Sequence, residues 1–189
     1  MTHYKMQPWR SFGLVSATVL ASLAITGCSP DGSAEKEDKA TKPLTLGDPS
    51  PETVELGSYD TDGNFTVTPK KVFEGKPEDM SELGNDADYK DKKLAWIYVD
   101  SKLVGGDKSV KGPMLFTNMG AVAGASGAAT RLQTIGSLSS RPKDCITEDV
   151  QITWKQGESH TWCEPFIIPA NSHVTKVTYY QDRFTWSVK

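Results

Sequence analysis

Residues 93–104 read KLAWIYVDSKLV, and this stretch decides the fold class. Leu94, Trp96 and Tyr98 share one face when every second residue is counted. The opposite face carries Ala95, Ile97, Val99, Ser101 and Leu103. Side chains two residues apart share a face on a β-strand and not on a helix, so the alternation predicts a long strand.

Shorter runs on either side have the same character and are separated by turn-forming residues. They are residues 64–68, 149–154, 161–168 with Pro165 at an edge or bulge, 174–180 and 184–188. Beyond residue 28, no segment of ten or more residues shows a capped helical period. The pattern therefore predicts an all-β, antiparallel sandwich over residues 56–189.

Two insertions interrupt these runs. Residues 74–91 are acidic and turn-rich, with one helical turn expected at 80–83. Gly, Ala and Ser make up nearly half of residues 105–141, which predicts a long flexible loop that a short strand at 131–135 could divide. The glycines of this loop lack phosphate-cradle spacing, although its small residues would also suit a close partner contact.

Composition excludes several classes of protein. The chain has 189 residues and a formal net charge of -3, so it lacks the broad basic surface of nucleic-acid binding proteins, and no nucleic-acid partner is expected. With 37% hydrophobic and 24% charged residues it is too polar for a polytopic membrane protein and too apolar for full disorder.

The N-terminus has the layout of an export signal. Lys5 and Arg10 precede an apolar run of 14 residues, 12–25, whereas a membrane-spanning helix needs about 20. The run ends in Ile25-Thr-Gly-Cys28, which resembles the bacterial lipobox. That resemblance implies removal of residues 1–27 and a lipid (diacylglyceryl and palmitate) on Cys28, which anchors the protein to the outer face of the cytoplasmic membrane. The alternative is an ordinary secretory signal with a coincidental cysteine.

Residues 28–55 follow as a predicted flexible linker. Charges of both signs, four prolines and few apolar residues are typical of a segment that cannot bury enough surface to fold. A chain of this length would hold a domain clear of the lipid headgroups. An acidic recognition tail is the other interpretation.

If Cys28 carries lipid, Cys145 and Cys163 are the two cysteines left, and an even count in an exported chain predicts one disulfide. A flat hairpin of 149–154 with 161–168 would hold them too far apart. Either residues 145–148 fold back, or residues 156–159 carry the chain between sheets, which is the usual sandwich connection.

Three stretches then resemble a known family. They are Glu78–Leu83 before the long aromatic strand, Trp154-Lys-Gln-Gly-Glu-Ser159, and Phe166–Val174 leading to a Tyr-Tyr pair. Together they are similar to the immunoglobulin-like (telokin-like) domain of actinobacterial lipoproteins of unknown function. The resemblance covers about residues 57–189 and implies a fold and an anchor. It offers no catalytic residues, and Val104-Gly-Gly-Asp107 replaces the family's Asn-Thr-Gly-like turn.

No catalytic constellation is found in the sequence, so we expect no enzyme and no cofactor. His160 and His173 are the only histidines after the signal, and Cys163 in a disulfide offers no thiolate. Asp86 and Asp88 lie in a polar stretch and are interpreted as solvated charges.

Metal binding is not expected either, although three groups have some ligand character. These are His160 with Cys163 and His173, then Met114 with Met119, and finally Asp86 with Asp88 and Asp91.

Trp96 and Tyr98 are the candidate binding residues, as a solvent-facing aromatic face of the kind used for protein or glycan recognition. The alternative is that they cover the sandwich. The favoured function is a non-catalytic, surface-tethered binding module for a protein, a cell-wall polymer or a small ligand. The second hypothesis is a solute- or metal-capturing lipoprotein that feeds a transporter or enzyme. A deep polar pocket containing either histidine would favour capture or catalysis.

Overall fold

The structure is a computed structural model that describes residues 43–58, 60–84, 87–133 and 138–189. The predicted signal peptide, Cys28, the linker up to residue 42 and Asp86 lie outside the described residues. Within the described ranges, no helix is long and apolar enough to cross a membrane.

Twelve strands lie in this part of the chain. They are β1 (Leu44–Thr45), β2 (Val54–Ser58), β3 (Thr61–Glu74), β4 (Lys92–Gly106), β5 (Ser109–Lys111), β6 (Met119–Ala123), β7 (Gly127–Ala128), β8 (Thr130–Arg131), β9 (Thr153–Lys155), β10 (Ser159–Pro169), β11 (Val174–Tyr179) and β12 (Phe184–Ser187). Short 3₁₀ helices cover Pro77–Leu83, Ala87–Tyr89, Leu115–Asn118 and Gly124–Ser126.

These strands form two five-stranded sheets and one strand pair. The first sheet has the order β1-β12-β11-β6-β7, the second has β2-β3-β4-β10-β8, and β5 pairs with β9. Among the described residues every pairing is antiparallel except that of β1 with β12. The predicted all-β sandwich is confirmed.

The main core lies between the two sheets, and β4 is its central strand. Ala95, Ile97, Val99 and Leu103 are fully buried in this core beside residues of both sheets, such as Phe166 and Val177. Of the two faces that the alternation in 93–104 defines, the one with Ala95, Ile97, Val99 and Leu103 is therefore the inner face of the second sheet.

The other face of β4 corrects the predicted binding face. Trp96 and Tyr98 are only 1% and 3% exposed, so they are not a solvent-facing aromatic patch. They belong to a second apolar cluster with Met80 from the 3₁₀ helix Pro77–Leu83 and with Cys145. Glu82 on that helix accepts hydrogen bonds from the backbone N–H groups of residues 139 and 140, at 2.6 and 2.9 Å. The 3₁₀ helix Pro77–Leu83 and the segment 138–145 therefore cover the outer face of β4.

The predicted disulfide is present and belongs to this cover. Cys145 and Cys163 are bonded, with Cα atoms 5.5 Å apart. Residues 149–154 and 161–168 do not form a hairpin, because β9 pairs with β5 whereas β10 pairs with β4. Residues 156–159 therefore connect two different sheets, as favoured from the sequence. The Cys163 N–H also donates to the Ile146 carbonyl at 2.8 Å, so the segment after Cys145 lies beside β10.

The described part of the glycine-rich stretch 105–141 is not the long flexible loop expected from its composition. It contains β5 to β8, and β6 is an interior strand of the first sheet, between β11 and β7. Small residues are needed there because neighbouring strands approach closely: a Cβ on Gly120 would lie 2.6 Å from the Thr178 hydroxyl. The expected strand at 131–135 is reduced to Thr130–Arg131 among the described residues.

The domain also begins earlier than residue 56. Leu44 and Thr45 pair with β12, and the indole N–H of Trp186 donates to the Asp48 carbonyl at 2.8 Å. Val54 is fully buried in the main core. Residues 44–54, placed in the linker from composition, therefore pack on the sandwich, because their few apolar residues meet its edge.

Candidate functional site

A cavity of about 700 Å³ lies beside β8 and β10, next to the 3₁₀ helix Leu115–Asn118. Its walls mix apolar and charged side chains, including Phe116, Leu132, Arg131, Glu148 and Glu164. The charged members come from three separate parts of the chain, and the fold brings them together.

Glu164 is an acidic residue on the buried face of a strand. On β10 the residues Trp162, Phe166 and Ile168 belong to the main core, and Glu164 has the same phase in the alternation. It is 8% exposed and lines the cavity. No hydrogen bond or ion pair joins its carboxylate to any residue in the described ranges.

The environment changes the acidity of Glu164 strongly. Burial disfavours the charged form and raises the pKa of Glu164 to about 7. Nearby Glu148 acts in the same direction, and the positive charge of Arg131 partly opposes it. A carboxyl group of this kind changes protonation near neutral pH and marks a candidate functional site.

Glu148 and Arg131 hold the 3₁₀ helix that forms the cavity wall. The Glu148 carboxylate accepts hydrogen bonds from the N–H groups of Leu115 and Phe116, at 3.0 and 2.9 Å. Arg131 donates to the Phe116 carbonyl at 2.9 Å, and its guanidinium lies 5.1 Å from the centre of the Phe116 ring. Burial raises the pKa of Glu148 despite the two N–H donors.

A second cavity of about 350 Å³ adjoins the first, since both are lined by Thr147 and Glu148. His160 and Trp154 line it, with ring centres 4.3 Å apart. The buried Trp154 Nε1 and His160 Nε2 have no hydrogen-bond partner among the described residues. His160 therefore lies at a cavity whose walls are mostly apolar, which is not the deep polar pocket that would favour capture or catalysis. The cavity beside Glu164, the carboxylate cavity, is the larger of the two, and none of the described residues that line it is a histidine.

The other candidate residues are not brought together. Cys163 is held in the disulfide, and His173 contacts Glu74 instead of His160. Met114 lies at the rim of the larger cavity, whereas Met119 is buried in the core. Among the residues that the structure describes, no cluster of His, Cys, Asp and Glu could hold a metal ion.

Sequence reasoning missed the three charged residues of the cavity. Glu164 could have been found, because it has the phase of Trp162 and Phe166 in an alternating strand. Glu148 lies in an irregular segment and Arg131 in a two-residue strand, so neither has a periodic signal.

Chemically, the site offers a largely buried carboxylate that makes no hydrogen bond or ion pair with the described chain. Its apolar walls can enclose the hydrocarbon part of a ligand, and Glu164 and Arg131 can orient polar groups.

No protein-family model and no curated protein matches the chain. One solved structure, "Structure of a putative lipoprotein from Staphylococcus aureus subsp. aureus NCTC 8325", is similar to it with 14% sequence identity and a TM-score of 0.45. The alignment covers 72% of this chain and 92% of that chain.

Proposed function

We propose that this protein is an exported lipoprotein, anchored through Cys28, whose sandwich binds a small ligand of the cell envelope in the carboxylate cavity. The observation that carries the binding part is Glu164, which is buried at the cavity wall with no partner in the described chain. An ionised carboxylate in this position is stabilised when a ligand supplies the missing donor.

Two features support a small ligand over a flat macromolecular contact. Trp96 and Tyr98, the residues expected to recognise a protein or wall polymer, are covered. The cavity has the volume typical of small-molecule sites, which is about 300–1,000 Å³. The proposal therefore keeps the small-ligand option of the binding-module hypothesis and shares with the capture hypothesis only the bound solute.

The anchor rests on the signal sequence and the lipobox-like Ile25–Cys28. Replacing Cys28 with Ala should release the protein from the membrane fraction, as measured by fractionation and immunoblotting. The Cys145→Ala/Cys163→Ala double variant is the matched control and should stay in the membrane fraction. Unchanged fractionation of Cys28→Ala would exclude the lipid anchor.

Ligand binding is tested by filling the cavity. Thr147 lines it, so the full chain with Thr147→Trp should retain fewer compounds from the small-molecule fraction of an envelope extract, as detected by mass spectrometry. Thr185→Trp makes the same change at an exposed position of β12 and should behave like the wild type. Equal retention by both variants would contradict the proposal. Capture of a wall polymer by both would favour the macromolecular module instead.

A further inference from the structure

We infer that the ligand of this cavity carries a cationic group, an ammonium on an apolar stem, and that the ammonium pairs with the Glu164 carboxylate. The inference rests on the proposed function and specifies the chemical class of its ligand.

The first argument is the missing partner. Arg131 is the basic residue at the cavity wall, yet it makes no ion pair with Glu164 within the described residues. One of its N–H groups is taken by the Phe116 carbonyl, and its guanidinium plane lies over the Phe116 ring. The charge of Arg131 offsets the cost of burying the Glu164 carboxylate only in part, and a donor on a ligand would offset more of it.

The second argument is the charge of the wall. Two carboxylates, Glu148 and Glu164, and one arginine, Arg131, line the cavity. When all three are ionised, the cavity wall has a net charge of minus one. A monocation neutralises this excess, whereas an anion would meet two carboxylates. Specific recognition of charge requires this kind of complementarity.

The third argument is the surroundings of the charged end. Phe116, Leu132 and Val150 form apolar wall, and Met114 adds a thioether at the rim. These side chains can enclose a hydrocarbon stem, and the flexible thioether can adapt to its shape. The cavity therefore suits an amine with an apolar body better than a bare inorganic cation.

The pairing predicts a pH dependence. Glu164 must be ionised to bind an ammonium, and the groups that face it are Arg131 on β8 and Glu148 in the segment before β9. On β4 the residue opposite Glu164 is Ile97, which does not titrate, and the Tyr179 hydroxyl of β11 is bonded to the Leu115 carbonyl. Affinity for an amine should therefore fall as the pH drops below about 7, because a proton then competes for the carboxylate.

The test compares three probes of one shape: 2-phenylethylamine, 2-phenylethanol and 3-phenylpropionate. Each is titrated by calorimetry into the full chain in neutral detergent, at about pH 8 and about pH 5.5. We expect the amine to bind most tightly at the higher pH and to lose about tenfold or more in affinity at the lower pH. Glu164→Gln should weaken the amine by about 10- to 100-fold and leave the alcohol unchanged.

Glu55→Gln is the matched control, because it removes the same charge from an exposed position of β2. If the alcohol or the propionate binds as tightly as the amine, the inference is overturned while the binding function stands. If no probe binds, the inference is overturned as well, and the Thr147→Trp experiment decides the binding function separately. Should Glu164→Gln fail to fold, the wild-type protein still tests the inference. An affinity for 2-phenylethylamine that does not change between the two pH values would contradict the pairing.

Discussion

Glu74 and Glu164 show how differently this sandwich treats two carboxylates. Glu74 ends β3 and accepts from Lys93 Nζ at 2.8 Å, from His173 Nδ1 at 2.8 Å and from the Val174 N–H at 3.0 Å. Glu164 lies on β10 with no such donor in the described chain. The comparison teaches that a carboxylate satisfied by the protein joins strands, whereas an unsatisfied one at a cavity is available to a ligand.

The two groups also have opposite effects on stability as the pH changes. Burial alone would raise the pKa of Glu74, but the hydrogen bonds from Lys93, Val174 and His173 lower it below the usual value. Glu74 therefore contributes stability that is lost on acidification. Glu164 behaves in the opposite way, because its pKa is raised in the folded protein. It costs no stability at low pH, where it is protonated, and it lowers the free energy of unfolding as the pH rises from 4.5 to about 7.

The largest effect is expected when Glu74 is removed. Lys93 is 7% exposed, so Glu74→Ala leaves a buried ammonium without its counter-charge. We expect the free energy of unfolding to fall by about 3–4 kcal/mol, as measured by urea denaturation at neutral pH.

The control removes both charges. Glu74→Leu with Lys93→Met should recover most of that loss, because no unpaired charge is left. A loss of less than about 1 kcal/mol for Glu74→Ala would mean that the pair is solvated and that the contrast with Glu164 is false.

The disulfide links the cover of the second sheet to the cavity wall. It closes a loop of sequence separation 18, and Glu148 follows Cys145 by only three residues. Replacing both cysteines with Ala should lower the free energy of unfolding by about 3 kcal/mol and weaken amine binding, since Glu148 is then held less firmly. Unaltered amine affinity in this variant would show that the wall does not depend on the disulfide. Calorimetry and urea denaturation measure the two effects.

Much of the fold was predictable because it follows local alternation. The phase of residues 93–104 identified the inner face of β4 correctly. The stretch 105–141 was mispredicted because Gly, Ala and Ser have weak strand propensity, although they fit where β6 lies close to β11.

The candidate site and the cover of the second sheet were less predictable because they depend on contacts between distant parts of the chain. Alternation says that Trp96 and Tyr98 share a face, but their cover comes from residues 77–83 and 138–146. Similarly, Leu44 and Thr45 form a strand only because Trp186 and Ser187 are available to pair with them. Glu164 could have been predicted to be buried, because it alternates in register with the core residues of β10.

A change at Glu164 should stabilise the protein, opposite in sign to the changes above. Glu164→Gln removes a charge that the fold penalises above about pH 7. We expect a gain of about 3 kcal/mol in the free energy of unfolding at about pH 8, and almost none at about pH 4, where the wild-type carboxyl is neutral. Urea denaturation at both pH values measures this. A loss of stability at the higher pH would mean that the native carboxylate has a partner.

The smallest effect is expected at His173, the exposed partner of Glu74. Its side chain is 79% exposed and lies 2.8 Å from a carboxylate oxygen that Lys93 also contacts. Because water screens this contact, His173→Ala should lower the free energy of unfolding by only about 0.5 kcal/mol, and less in high salt. In the Glu74→Ala background the same substitution should have no further effect, which a double-mutant cycle by urea denaturation tests. A cost above about 2 kcal/mol would show that the histidine, and not the buried lysine, is the main partner of Glu74.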